Sequence, residues 1–313
     1  MGVEIARPVR QGGATEEATM PDETFTLPGS VTAYRWDPAG PPVGALQLTH
    51  GMGEHVLRYD RVARAFTERG FVVYGQDHRG HGASVAGEPG DLGPDGWAAL
   101  VADIGVRTAR IRAVSTPGLP VVLLAHSMGS FAAQQYLLDH SADADAVILT
   151  GTAALDVLEP ALDLDQPLDL AMFNAPFQPP RTDYDWLSRD ESEVDAYVAD
   201  PLCGFGIDTA STKAMFAGAR RLADPAAVAR MRSDLPMYLA VGDQDPVNGN
   251  LALFDVLVQR YRDAGIKDLT VRVYPGARHE ILNESNRAEI VAEMLAWAEK
   301  ADSEARQRLR VVA

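Results

Sequence analysis

The run LLAHSMGSFAAQQYL, residues 123–137, sets Ser127 between the small residues Ala125 and Gly129. Apolar Val121-Val122-Leu123-Leu124 precedes it and a helical pattern follows at once. A buried strand that ends on one serine and enters a helix without a loop makes a crowded corner. Such a corner strains the serine backbone and needs residues without bulk two positions to either side. The hydroxyl then stands exposed, and the next N–H, that of Met128, points from the helix N-terminus into the same space. A plain helix-capping serine is the competing reading; the strand before and the helix after count against it.

A serine hydroxyl is a weak nucleophile and needs a base that a third group orients. With the serine in mid-sheet, the expected chain order is serine, acid, histidine. His279, in GARHEILNE, follows the last apolar run, and Asp245, in VGDQDPVN, closes the run before it. Asp243 is the rival acid. Asp245 is preferred because Pro246 fixes a turn that aims its carboxylate at the histidine, whereas Asp243 reads as a turn-forming residue. Upstream, THGMGEH places glycines on both sides of Met52, so the backbone can turn sharply and offer the Met52 N–H to a developing oxyanion. In DHRGHGAS, His78 and His81 stand three apart, but no carboxylate or sulfur completes a ligand set at matching spacing. A structural turn is expected there, and no metal.

Outward from these stretches the chain alternates buried runs with helical patterns, the signature of a mostly parallel sheet with crossover helices. Strands are expected at 30–36, 45–50, 71–77, 120–127, 145–151, 236–245 and 269–277, and helices at 59–70, 95–114, 129–140, 251–265 and 287–309. In such sheets ligands bind beyond the carboxyl ends of the strands, where the residues named above all fall. The segment 152–235 is far longer than an ordinary connection. Its aromatic and Met residues, Phe173 and Phe177 among them, predict a greasy helical cap inserted between a core of 23–151 and 236–313. Residues 1–22 read as a flexible arm.

Composition narrows the function. The 313 residues, 46% hydrophobic and 23% charged, suit one large globular domain with an insertion. A net charge of −16 argues against nucleic acid and anionic lipid surfaces as partners. The single Cys203 excludes a disulfide framework and an all-thiolate zinc site, and fits a reducing compartment. The N-terminal stretch lacks the apolar region of a signal peptide, and no run reaches the ~20 apolar residues that span a bilayer. A cytoplasmic protein with no cofactor is expected.

Together, HGMGEHVLRY (50–59), GFVVYGQDHRGHGAS (70–84), LPVVLLAHSMGS (119–130), GDQDPVN (242–248) and RHEILNE (278–284) resemble the α/β-hydrolase fold. More narrowly they resemble its monoacylglycerol lipase and lysophospholipase branch, grouped with serine aminopeptidase-type hydrolases. The resemblance covers about residues 25–300. It implies Ser127 as nucleophile, Asp245 and His279 as partners, and the Met52 and Met128 N–H groups as oxyanion hole. It also implies that Glu54 and Arg58 face the alcohol part of a small acyl ester; Phe173 and Phe177, from the aromatic content of 152–235, are expected on the acyl path. Ala125 and Ser130 depart from the glycines usual at those positions. A lysophospholipase, a peptidase or amidase, and a non-catalytic ligand-binding member remain as alternatives.

Overall fold

The structure, a computed structural model, describes residues 20–312, with side chains described as far as residue 305. Eight strands form one sheet: β1 (Glu23–Leu27), β2 (Val31–Trp36), β3 (Gly44–Thr49), β4 (Phe71–Gln76), β5 (Val121–His126), β6 (Ala146–Thr150), β7 (Met237–Gly242) and β8 (Leu269–Tyr274). Among the described residues, nine α-helices accompany them: α1 (Asp60–Glu68), α2 (Gly96–Val114), α3 (Met128–His140), α4 (Leu155–Leu158), α5 (Glu191–Ala199), α6 (Thr209–Ala219), α7 (Pro225–Val228), α8 (Ala252–Asp263) and α9 (Arg287–Val312). The sheet order is β1-β2-β4-β3-β5-β6-β7-β8, antiparallel in the first three and parallel from β4 onward.

The central strands are apolar on both faces because both faces are covered. On one side α1 and α9 pack Val62, Phe66, Ile290 and Met294 against Leu46, Leu48, Leu124 and Ile148. On the other, α2, α3 and α8 pack Leu100, Leu137 and Leu257 against Leu123, Val147 and Leu239. Each such side chain contributes roughly 1.5–3 kcal/mol of burial. Strand β5 therefore lies in mid-sheet between β3 and β6, with its carboxyl end, and Ser127, over the middle of the core.

Strand β1 has no counterpart among the expected elements. Pro28 and Gly29 close a hairpin with Gly29 and Ser30 at positive φ, and β1 is an edge strand whose half-exposed residues give little periodicity. The expected N-terminal arm lies mostly outside the described residues. At its last position the Asp22 N–H already donates to Arg35 O at 2.8 Å, so the sheet begins there. Between β6 and β7 the chain runs through α4–α7 with long irregular stretches, and packs Leu170, Phe173, Trp186, Met215 and Phe216 onto the core.

Candidate active site

The corner at Ser127 has φ 51° and ψ −122°, which an L-residue rarely adopts. The packing around it explains why. A Cβ on Gly129 would lie 2.4 Å from His50 O and 2.6 Å from Thr49 O, so α3 can approach β3 only through a glycine. Ala125 is fully buried in the core, so its methyl group is packing rather than obstruction. Ser130 donates its hydroxyl to Ser127 O at 2.7 Å, a bond a glycine would lack. The Ser127 hydroxyl makes no capping bond. It lies 2.8 Å from His279 Nε2 instead.

His279 Nδ1 lies 2.9 Å from Asp245 Oδ2. Asp245 is fully buried, and its other oxygen accepts the Val247 N–H at 2.8 Å across the turn at Pro246. Asp243 faces elsewhere, accepting the Gly276 N–H at 2.7 Å at the end of β8. Burial disfavours the His279 imidazolium, but the charge and hydrogen bond of Asp245, with Glu280 and Glu54 behind them, outweigh it. The histidine is thus held above its ordinary value. Trp186 packs its ring 5.0 Å from the His279 ring, and the His279 N–H donates to Trp186 O.

The loop after β3 is fastened from several sides. Gly51 N–H donates to Glu54 Oε1 at 2.5 Å and Gly53 N–H to His81 Nε2 at 3.2 Å, so the amides on either side of Met52 are both engaged. Gly53 O accepts from the Tyr197 hydroxyl at 2.8 Å and the Gly204 N–H at 2.9 Å, both from the segment between β6 and β7. Beneath the loop, His50 Nε2 accepts the His78 N–H at 2.8 Å while His50 Nδ1 lies 2.8 Å from Gly51 O. His78 Nε2 lies 3.0 Å from His50 O. Burial pushes His50, His78 and His81 down, the last to about 4, so all three are neutral imidazoles serving as backbone braces. His126, beside His279 and bonded to Thr150 Oγ1, is pushed by burial down to about 3.

A cavity opens over Ser127. Met52, Met128, His279 and Glu54 form its polar end, and Leu155, Leu158, Leu162, Leu168, Leu170, Phe173, Met215 and Phe216 its walls. None of the described residues lining it is lysine or arginine. Two expected substrate residues are placed differently from the sequence reading. Arg58 is off the cavity wall: it gives two nitrogens to Glu280, at 2.6 and 2.7 Å, one of them also to Glu54 at 2.7 Å, and lies 4.8 Å over the Tyr197 ring. Burial works against its charge and the two carboxylates outweigh that. Burial alone would raise Glu280, but the Arg58 fork holds its carboxyl at about 2. Phe177 also lies off the cavity, under the Arg278 guanidinium at 4.2 Å, because that flat cation covers its ring.

Sequence reading missed Glu280 and Trp186. Glu280 adjoins His279 and carried a signal of its own, an acid that follows a candidate base directly. Trp186 carried none beyond being aromatic. For a metal, the one grouping among the described residues with ligand atoms close enough is His55, Asp200 and Cys203, within 4.8 Å. His55 Nε2 already meets Asp200 Oδ2 at 2.8 Å, and burial pushes the Cys203 thiol up, away from the thiolate a metal needs.

A doubly covered, mostly parallel sheet with a strained serine at the carboxyl end of a central strand, in line with a histidine and a buried aspartate, is that of an α/β-hydrolase. The comparisons narrow the class. The family model described as serine aminopeptidase S33 matches residues 40–286, and the chain belongs to that family of serine hydrolases. A monoacylglycerol lipase of Mycolicibacterium smegmatis is 31% identical over 269 residues, covering 84% of this chain and 90% of that one. A monoglyceride lipase of Mus musculus is 30% identical over 261 residues, covering 80% and 79%. The crystal structure of a thermostable carboxyl esterase from Bacillus coagulans in complex with glycerol superposes with a TM-score of 0.79 at 27% identity, covering 91% of this chain and all of that one. The chain is a serine ester hydrolase. No helix among the described residues is long and apolar enough to cross a membrane.

Proposed function

We propose that the chain hydrolyses monoacylglycerols, with Ser127 as nucleophile, His279 as general base and acid, and Asp245 as the group that orients the histidine. The observation that carries this is the in-line contact of Ser127 Oγ, His279 and Asp245 at 2.8 and 2.9 Å, opening onto an apolar cavity. Ser127 Oγ attacks the ester carbonyl as His279 Nε2 takes its proton. The tetrahedral oxyanion is received by the Met52 and Met128 N–H groups. The alcohol leaves with the proton from His279, and a water activated by the same nitrogen releases the acid. Residues 152–235 serve as a cap over a core of 23–151 and 236–313, with Phe173 on the acyl path.

The polar end of the cavity supports a neutral alcohol. Arg58 is consumed by Glu54 and Glu280, so no cation there is left to receive a phosphodiester. Glu54 presents a carboxylate that a diol can donate to. The same ion pairs count against an aminopeptidase: Arg58 pairs both carboxylates on the cavity wall, and a lone pair left on a paired carboxylate suits a neutral hydroxyl, whereas a substrate ammonium needs an unpaired charge. The single Cys203 is in keeping with a reducing, cytoplasmic setting. The test compares kcat/KM for a monoacylglycerol and the lysophosphatidylcholine of the same acyl chain, both as monomers, alongside fluorophosphonate labelling of Ser127. Preference for the lysophospholipid would overturn the substrate reading and leave the triad standing; absence of labelling would overturn the triad.

A further inference from the structure

The four residues 185–188 serve two hollows. Trp186 and Leu187 line the cavity over Ser127, whereas Asp185 and Ser188 line a second hollow of about 390 Å³ that shares no lining residue with the first. Three arginines border it: Arg181, Arg189 and Arg278. Two of them are neutralised. Arg181 pairs with Asp195, and Arg189 with the buried Glu284 at 2.8 Å.

Arg278 makes no side-chain ion pair among the described residues, and the charges of Glu284 and Asp185 reach it only from a distance. Its Nη1 donates only to the backbone carbonyls of Asp185 and Ser188, and one face of the guanidinium covers Phe177. Nε and Nη2 make no hydrogen bond among the described residues, which leaves the two-donor edge of the fork intact. The carboxylates on the hollow do not supply the missing charge. Asp185 is occupied by the Arg181 and Thr182 amides and the Thr182 hydroxyl, and Glu191 is exposed at the rim.

We propose that this hollow is a binding site for a small oxyanion, a phosphate or a carboxylate, held in a bidentate manner by the free edge of Arg278. Two parallel N–H···O bonds to one planar cation are the geometry both anions favour. The position gives the site a reach into the chemistry. Arg278 directly precedes His279, and through the carbonyls of Asp185 and Ser188 it fastens the inserted segment to the histidine loop. An anion on the fork would stiffen that joint.

The test uses the full chain and titrates inorganic phosphate, glycerol 3-phosphate and acetate by calorimetry at constant ionic strength. With −16 on the chain, general attraction of anions is not expected, so saturation reports a site. Saturable binding of at least one anion is expected, and the three arms separate free phosphate, a phosphate monoester and a carboxylate as its source. Binding should weaken by about tenfold or more in Arg278→Gln, and likewise in Arg278→Lys, which keeps the charge and loses the fork. No saturation in any arm, or equal binding by Arg278→Lys, overturns the assignment. Should both variants fail to fold, selenate soaked into crystals of the parent protein locates the anion by anomalous scattering. Density on Arg278 supports the site; density absent or only elsewhere removes it.

Discussion

The two walls of the reaction cavity are built on different principles. The sheet-side wall is fixed atom by atom: Glu54 and three neutral imidazoles brace the loop after β3, and a glycine with no room for a methyl group brings α3 against β3. The wall from the segment between β6 and β7 is a set of leucines, phenylalanines and a methionine whose contacts are interchangeable. One wall fixes the positions of polar groups; the other only encloses an apolar space. Substitutions should therefore act by geometry on the first and by volume on the second.

The largest effect should come from the corner itself. Ser127→Ala should cost roughly 10⁴- to 10⁶-fold in kcat, because triad members act as a unit, with the thermal midpoint little changed. Turnover within tenfold of the parent would sink the assignment. Next, Asp245→Asn should cost about 10⁴-fold by favouring the wrong tautomer of His279. Asp243→Asn should leave kcat near the parent value and cost about 1–2 kcal/mol in denaturant unfolding, since it weakens the bonds from the Gly276 amide and the Gln244 side chain and touches no group near Ser127. The reverse ranking would move the acid's role to Asp243.

On the opposite wall the effects should be graded. Phe173→Ser removes a cavity-lining ring packed 5.2 Å from Trp186, so kcat/KM should fall for long acyl chains and little for acetyl esters. The gain per methylene in the parent is bounded by ~0.8 kcal/mol. Phe177→Ser, off the cavity, should give one uniform change at every chain length; a length-dependent loss would place it back on the acyl path. The smallest effect is a shift in pH profile. Glu280 helps hold His279 above its ordinary value, so Glu280→Gln should lower that pKa. The acidic limb of kcat/KM, where the base loses its proton as pH rises, should then move to lower pH. An unmoved limb would mean that Arg58 consumes the whole of Glu280's charge.

The same contrast governs what the sequence made legible. That Ser127, Asp245 and His279 meet was readable because a strained corner, an Asp-Pro turn and a strand end each admit few residue types. The central strands were readable because burial on both faces leaves unbroken apolar runs. Arg58 was misplaced because its spacing from Glu54 shows one partner, and the second, Glu280, lies 222 positions away. Phe177 was misplaced because an aromatic side chain in an irregular segment carries no periodicity to say which way it faces. Strand β1 was missed for a related reason, since an edge strand exposed on one side lacks the alternation that burial imposes.

The braces under the loop after β3, together with His126, also make the fold a proton sink when it opens. His50, His78, His81 and His126 stay uncharged while folded but regain an ordinary imidazole pKa near 6.5 once exposed. Below that pH unfolding takes up protons, so each such group withdraws stability at about 1.4 kcal/mol per pH unit until its folded value is reached. His279, Glu54 and Asp77, each held above its ordinary value, work the other way, three against the four histidines, and Glu280, held low, adds to the loss. Acid should thus take this enzyme apart rather than merely switch off its base, and the thermal midpoint should fall steeply from pH 6.5 towards 4. A midpoint level across that interval would mean that the four imidazoles are already protonated in the native chain.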